Sequence, residues 1–365
     1  MRNQRILTAG PEITDREIQY GIDAITHGWN EHSADYIERF EREFAEYIGV
    51  KYALTVASGT AALHLAMRVL GIGEGDEVIV PDQTFVAVAN AVRFTGGAPV
   101  TCDVEPDTWC MDPVSFKNAI TPRTKAVVPV WTYGQAPRID EIMAIAREHD
   151  LRVVEDACPA VGSRYKDRHA GTTGDVGAFS FQGAKIMTTG EGGMLVTNDP
   201  AYYERARSLR VHGRDPEKEF WHTDIGYMYR MSNIQAALGV GQLEHIEPMV
   251  AKKRQIFHWY KERLEGSPRL TLNTENAWSE SNYWMTSIVL DETYDRTAFR
   301  AALLAHGIDT RPFFYPISSL PMYHRGEVTT PVSHCLGRQG INLPSGVMLS
   351  EEKVDYIARA VLELV

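Results

Sequence analysis

The sequence predicts an α/β protein built on a mostly parallel sheet, with a smaller C-terminal α+β domain, and three observations carry that prediction. Between Lys51 and Val196 short apolar runs alternate with amphipathic helical patterns, the mark of repeated βαβ units. After Asn198 the pattern changes to long helical stretches. Beyond these, two strand-like runs flank one short helix.

In chain order, the strands are ALTVA (53–57), EVIVP (77–81), KAVVPVW (125–131) and LRVVED (151–156). Runs this apolar suit a parallel sheet covered by helices on both faces. TAALHLAMRVLG (60–71) and IDEIMAIAREHD (139–150) are the covering helices, the first closed by Gly71 as a C-cap. Pro200–Val211 and residues 234–265 read as long helices, the second as a connecting spine. In the C-terminal part, YWMTSIVL (283–290) and DTRPFF (309–314) read as strands around a helix near 297–306. The chain therefore divides into a large α/β domain with an N-terminal segment, residues 1–250, and a small α+β domain, residues 251–365; a chain of 365 residues suits two packed units better than one.

With 44% hydrophobic and 23% charged residues the composition is globular. Thirty-seven Lys and Arg against 48 Asp and Glu give a formal charge of −11, which argues against nucleic acid or an anionic membrane as the main partner. Cys102, Cys110, Cys158 and Cys335 show neither CxxC spacing nor dense pairing, so no disulfide framework or zinc site is expected. The twelve histidines offer no HExxH-type spacing, and no metal is expected. No run reaches the about 18 apolar residues of a membrane helix, and MRNQRILTAGPEIT lacks the apolar core of a signal peptide, so the expectation is a soluble cytoplasmic protein.

In open α/β sheets ligands gather beyond the carboxyl ends of the strands, which singles out four places. Ala57-Ser58-Gly59-Thr60 follows a strand and opens a helix, where free N–H groups and the helix dipole favour a phosphate; alone it also reads as a plain N-cap. Glu155-Asp156 ends LRVV, and Asp156 can pair with a cationic ring nitrogen or stand as a solvated strand end. Phe85, after EVIVPDQT, can cover a flat ring or fill a core. In FSFQGAKIMTTGEGG (179–193), a partly desolvated Lys185 favours its neutral amine, the form that makes a Schiff base with an aldehyde. Ser180 adds a hydroxyl for a phosphate, and Gly190, Gly192 and Gly193 permit close backbone approach. Each stretch has a bland reading by itself. Together, a phosphate cradle, a ring cover, a carboxylate for a pyridinium nitrogen and a Schiff-base lysine describe pyridoxal 5'-phosphate.

The order of these motifs resembles the DegT/StrS family of sugar aminotransferases. SGTAALHLA (58–66), GDEVIVP (75–81), VVEDACPAVGSRYK (153–166), GDVGAFSF (174–181) and TTGEGGMLVTND (188–199) follow its pattern over nearly the whole chain. The resemblance implies the fold type I of pyridoxal phosphate-dependent transferases, the aspartate aminotransferase-like fold. It implies that Lys185 holds the cofactor and shuttles protons, that Asp156 pairs with the pyridine nitrogen, that Phe85 stacks on the ring, and that Ser58, Gly59, Thr60 and Ser180 bind the phosphate. TTGEGG (188–193), WHTDIGYMYRMSNIQ (221–235) and RPFFYPISSLPMY (311–323) look most like the family's perosamine-type branch. That likeness implies transfer of an amino group from glutamate to C4 of a nucleotide-linked 4-keto-6-deoxy sugar, by a homodimer whose sites are completed across the interface, in deoxyamino sugar and polysaccharide biosynthesis.

Trp29, Glu31, His32, Gln182, Arg311 and Tyr315 are the candidate substrate-binding residues, and several of them depart from the branch pattern. Trp29-Asn30-Glu31-His32-Ser33-Ala34 stands where the branch reads W-I-S-S-x-G, and Glu31 would repel a diphosphate unless a cation meets it. FQGAK replaces FFGNK, and Trp131 replaces a His. Pro159 replaces the Gln or Glu that can hydrogen-bond the cofactor's ring hydroxyl, and Met228 replaces an Asn that reaches the partner's cofactor phosphate. These departures are expected at the substrate and interface shell, which retains the cofactor chemistry and leaves open a C3-keto sugar, a cyclitol or a free keto sugar as acceptor. A non-catalytic cofactor-binding relative is the remaining alternative.

Overall fold

The apolar runs assemble into one central sheet. The structure, a computed structural model, describes residues 5–324, 326 and 329–365. β1 (Tyr52–Val56), β2 (Glu77–Pro81), β3 (Ala98–Cys102), β4 (Thr124–Val127) and β5 (Arg152–Asp156) are followed by a short hairpin, β6 (Arg164–Tyr165) and β7 (Arg168–His169), then by β8 (Val176–Ser180) and β9 (Gly193–Thr197). Among the described residues seven of these pair in the order β1-β9-β8-β5-β4-β2-β3. Every neighbour from β8 to β3 is parallel, whereas β9 runs antiparallel to both β8 and β1. The connection 181–192 holds no helix to carry the chain back across the sheet, so β9 must return in the opposite direction. Lys185 sits in that connection.

Side-chain alternation builds the two faces. In β1, Ala53 joins one apolar cluster while Leu54 and Val56 join another; in β9, Met194 and Val196 go one way and Leu195 the other. α1 (Asp15–His27) and α2 (Asp35–Ile48) belong to the first side, where α2 buries Ile37, Phe40, Phe44 and Ile48 and sets its two phenyl rings 5.1–5.2 Å from Phe179 and Phe181. α3 (Gly59–Val69) and α4 (Ala87–Phe94) cover the second face. Gly71 takes a φ of +77°, as its expected place at the end of α3 requires. α5 (Pro113–Asn118), α6 (Ile139–Glu148) and α7 (Pro200–Arg210) complete this part.

The predicted helix over 234–265 is two helices, α8 (Asn233–Glu244) and α9 (Ile246–Leu264), broken at His245. Pro248 explains the break, because its ring would meet the carbonyl of residue 244 in a continuous helix and its nitrogen has no proton to donate there.

After β10 (Leu270–Leu272) and β11 (Ser279–Glu280), which pairs with β6, come β12 (Ser287–Leu290), α10 (Arg296–Ala305), β13 (Arg311–Pro312), α11 (Pro331–Gln339), β14 (Gly340–Asn342) and α12 (Glu351–Leu364). A second, antiparallel sheet has the order β10-β12-β14-β13. Both strands predicted here are shorter than their apolar runs. Tyr283 to Thr286 leave the ladder, with Tyr283 at a φ of +46° and stacked on Phe257 at 3.6 Å, and only Arg311–Pro312 of the second run is strand. Among the described residues no helix is long and apolar enough to cross a membrane.

Two buried carboxylates fasten the C-terminal part to the central sheet. Asp82, just past β2, accepts from Ser318 N and Oγ at 2.7 Å each and from Thr330 Oγ1 at 2.5 Å. Asp103, just past β3, accepts from Val332 N at 3.0 Å and from Ser333 N and Oγ at 2.9 and 2.7 Å, capping the start of α11 from outside the helix. On α9, Lys253 is buried and donates to the carbonyls of Trp284, at 2.5 Å, and Ser345. Burial brings its ammonium from the ordinary 10.5 down to about 7.

Two predictions follow these buried groups. Asp82→Ala leaves three donors without their carboxylate and lowers the free energy of unfolding by about 3 kcal/mol in a urea titration; a loss within error of zero would remove Asp82 from the fastening. Between about pH 7 and 10.5 the unfolded chain holds a proton at Lys253 that the folded chain does not, so this group makes stability rise with pH, by up to about 1.4 kcal/mol per unit. Lys253→Met flattens that rise by the same amount, and an unchanged slope would contradict the buried neutral amine.

Candidate active site

Three backbone segments converge at the carboxyl end of the sheet. Ser58 is the N-cap of α3, its Oγ accepting from Ala61 N at 3.1 Å, so the plain-cap reading of that hydroxyl holds while the first N–H groups of the helix stay at the opening. A Cβ on Gly59 would stand 2.8 Å from Ser180 Cβ and from Cys158 Sγ, so α3, the end of β8 and the residues after β5 meet at one point that only glycine permits. Gly193 does the same next door, where a Cβ would lie 2.6 Å from the Ser58 backbone. Thr60 is half-buried in the first turn of α3.

Strand alternation separates the two carboxylates that end β5. Glu155 turns into the core, where it accepts from Trp131 Nε1 at 3.0 Å and from the N–H groups of Gly171, Thr173 and Gly174 at 3.1, 2.6 and 2.7 Å. Burial raises its carboxyl against the pull of those four donors. This overturns the expected position of Trp131 at the substrate shell: its ring is fully buried and serves Glu155. Asp156 turns to the Lys185 side, accepts from Cys158 N at 3.0 Å, and has its carboxyl raised by burial, with Cys158 and Lys185 opposing the rise. A buried carboxylate so placed is well suited to a cationic partner.

The Lys185 turn is held from both ends. Phe181 and Thr189 close it with backbone bonds of 2.9 Å to Gly192 and from Thr189 to Phe181, Gly183 N reaches Gly190 O at 2.9 Å, and Gly190 adopts a φ of +82°. α8 braces the outside: Gln242 Oε1 accepts from Thr188 N at 3.1 Å and Gln235 Nε2 donates to Glu191 O at 2.7 Å. The Lys185 ammonium lies 3.8 Å from the centre of the Trp284 ring, whose Nε1 donates to Ala184 O at 2.7 Å. Burial lowers the amine's pKa, Arg311 adds to that, and Cys158 and Asp156 oppose it. The net effect lowers the pKa and so moves the amine toward its neutral form.

The remaining candidates fall into two groups. Phe85 is 54% exposed and tilts against Phe314 at 5.4 Å, so it is not the core residue of its bland reading. Arg311 is exposed and close enough for its charge to act on Lys185. Gln182 accepts from Ala184 N at 2.9 Å through Oε1, which ties its side chain to the turn. Tyr315 is exposed beside Arg296, 5.7 Å from its ring. Trp29, Glu31 and His32 are gathered elsewhere: Trp29 Nε1 donates to Ile25 O at 2.7 Å, His32 Nδ1 lies 2.9 Å from Asp35, His32 O accepts from Asn233 Nδ2, and Glu31 is exposed. Those contacts belong to α1, α2 and α8 and not to the lysine.

Two neighbours of the lysine, Trp284 and Cys158, and the residue that braces Trp284, Asn282, carry no sequence signal of their own. Trp284 was hidden inside a run read as strand, Cys158 lay between Asp156 and Pro159 without a motif of its own, and Asn282 donates to the carbonyls of Pro159 and Val161 while accepting from Trp284 N at 2.8 Å. The apolar–aromatic pattern of YWMT could have suggested a turned-in aromatic, but only the positive φ at Tyr283 takes it off the strand.

The chain is similar to known proteins in sequence and in fold. The DegT/DnrJ/EryC1/StrS aminotransferase family matches residues 11–362. A GDP-perosamine synthase of Escherichia coli O157:H7 is 40% identical over 353 residues, spanning 97% of this chain and 96% of that protein. The crystal structure of the aminotransferase TlmJ from Streptoalloteichus hindustanus superposes with a TM-score of 0.93 at 31% identity, covering 98% of both chains. The PLP-form of Spr1654 from Streptococcus pneumoniae superposes with a TM-score of 0.93 at 27% identity, covering 99% of this chain and all of that one. Helix start, paired strand ends and lysine turn thus occur here in a chain that belongs to the DegT/DnrJ/EryC1/StrS aminotransferase family and works as a pyridoxal phosphate-dependent sugar aminotransferase.

Proposed function

We propose that the chain moves an amino group from glutamate to C4 of a nucleotide-linked 4-keto-6-deoxy sugar. The observation that carries this reading is the Lys185 amine, biased to its neutral form by burial, across from the buried carboxylate of Asp156. The 40% identity to a protein named GDP-perosamine synthase supports the acceptor class.

The residues fit the cofactor. The close approach at Gly59 brings the start of α3 and Ser180 to one point, a cradle for a phosphate in which Ser58, Gly59 and Thr60 offer N–H groups and Ser180 a hydroxyl. In this reading Asp156 meets the ring nitrogen, and the charge there offsets what burial costs the carboxylate. The open face of Phe85 covers the ring. Bound pyridoxal phosphate supplies the electron sink that lets an amino group be taken up and handed on. Lys185 then moves a proton at Nζ, away from the carbon that bears the donor's nitrogen and later back to the sugar carbon. Arg311, whose charge acts on Lys185, offers a cation for a donor carboxylate.

The reading includes a homodimer. Phe220, Ile225 and Met228 are 85%, 82% and 61% exposed on the segment that ends at Tyr229, whose carbonyl accepts from Ala57 N at 2.7 Å beside the start of α3. A second copy over that segment would cover the three side chains and the phosphate cradle's outer edge. Sedimentation equilibrium should return twice the chain mass, and a single chain mass at micromolar concentration would count against it.

Glutamate should bleach the visible band of the cofactor-loaded protein as 2-oxoglutarate is released, and a nucleotide-linked 4-keto-6-deoxy sugar should restore the band. A band that persists refutes the donor, and restoration only by 3-keto sugars or cyclitols moves the acceptor. Lys185→Ala should form no such band and release no 2-oxoglutarate while keeping its far-ultraviolet circular dichroism; turnover at the unaltered rate would remove Lys185 from the chemistry.

A further inference from the structure

We propose that Trp284 is the seat that holds the tip of Lys185, as its ammonium, while Nζ has no covalent partner, and that Lys253 fixes that seat from behind; both are positioning residues. The inference rests on the reading of Lys185 given above.

Trp284 is held at four points. Its N–H donates to Asn282 Oδ1 at 2.8 Å, its carbonyl accepts from Lys253 Nζ at 2.5 Å, its indole N–H donates to Ala184 O at 2.7 Å, and its ring stacks on Tyr133 with 27° between planes. The indole bond reaches the residue directly before Lys185, and the ring face stands 3.8 Å from the Lys185 Nζ. One side chain thus fixes both the backbone and the tip of the lysine. An amine that lets go of a covalent partner and must find it again needs such a resting place, since a free lysine side chain otherwise samples many rotamers.

Lys253 shows why the seat does not move. It is 4% exposed, and its two hydrogen bonds go to the carbonyls of Trp284 and Ser345, with burial as the one influence on its titration. Packing alone would be served by methionine at this position. A neutral amine has two N–H groups, and the two carbonyls take both. Ser345 Oγ accepts from Thr286 N at 2.8 Å, so Lys253 joins two loops that already touch and ends the chain of bonds that begins at Lys185.

The ring face acts on the charge of Lys185 in a known direction. An aromatic face attracts the ammonium and not the amine, so Trp284 opposes burial and Arg311 on the same side as Asp156 and Cys158. Removing the face lowers the pH midpoint of the free amine by about half to one unit.

The test follows Lys185 in the full-length chain prepared without cofactor, by labelling its amine with trinitrobenzenesulfonate across a pH series and resolving the site by peptide mass spectrometry. Trp284→Leu should lower the midpoint by about half to one unit, and Trp284→Phe by less. Lys253→Met, which offers no donor, should shift it in the same direction, while Lys253→Gln, which keeps two N–H groups, should restore most of the unaltered value. Trp284→Phe carries the test if Trp284→Leu does not fold; in either, a midpoint indistinguishable from that of the unaltered chain overturns the proposal. So does a shift in Lys253→Gln as large as in Lys253→Met; if Lys253→Met does not fold, a Lys253→Gln midpoint lowered as far as that of Trp284→Leu overturns it equally. Adding pyridoxal phosphate to the same samples separates the two readings, because absence of a visible band in the unaltered chain refutes the role of Lys185 itself, whereas a normal band with unmoved midpoints refutes only the seat.

Discussion

An amine whose pKa is lowered has to be desolvated, and burial does this at Lys185 while its Nζ stays against the Trp284 ring. Burial also lowers Lys253, to about 7, but its hydrogen bonds go to two carbonyls. A fully exposed lysine keeps its proton. Burial lowers the Lys185 amine while the Trp284 face favours its ammonium, and the turn that carries it closes on itself through Phe181, Gly190 and Gly192. The antiparallel return of β9 is a consequence of the same turn.

Two parts of the chain also meet at the amine. Asp156, Ser180 and Gly59 come from the central sheet and α3, whereas Trp284 and Arg311 come from beyond residue 280. Two carboxylates at consecutive strand ends, Asp82 and Asp103, draw Ser318, Thr330 and the start of α11 onto the sheet. Because each accepts several donors in a buried setting, their bonds are directional as well as strong, and they set where Arg311 and Tyr315 stand relative to the lysine.

Much of this was legible because it rests on local chemistry. Apolar runs before polar ends gave the strands β1, β2, β4 and β5, and the glycines around Lys185 and Gly59 announced close approach. What stayed hidden depends on contacts between distant segments. Nothing local in YWMTSIVL says that Trp284 turns toward residue 185, and the break at His245 requires weighing one proline against a long helical pattern. Trp131 and Glu155 show the same limit from the other side: alternation along a strand sends neighbours to opposite faces, and a face cannot be assigned until the helices above it are known. Trp29, Glu31 and His32 are candidates by likeness of position alone, and the hydrogen bonds of Trp29 and His32 go to α1, α2 and α8.

The departures from the family pattern acquire a physical sense through these contacts. At position 159 a side chain able to reach the ring hydroxyl is replaced by proline, but the backbone carbonyl there accepts from Asn282, and Asn282 in turn accepts from Trp284 N. The end of β5 therefore connects to the lysine through Pro159, Asn282 and Trp284 in sequence, by bonds that involve no cofactor atom. Trp131 donates to Glu155, the residue before Asp156 in β5, from within the core. Two of the departures, Pro159 and Trp131, thus belong to the frame around Asp156 and Lys185, through Asn282 and through Glu155.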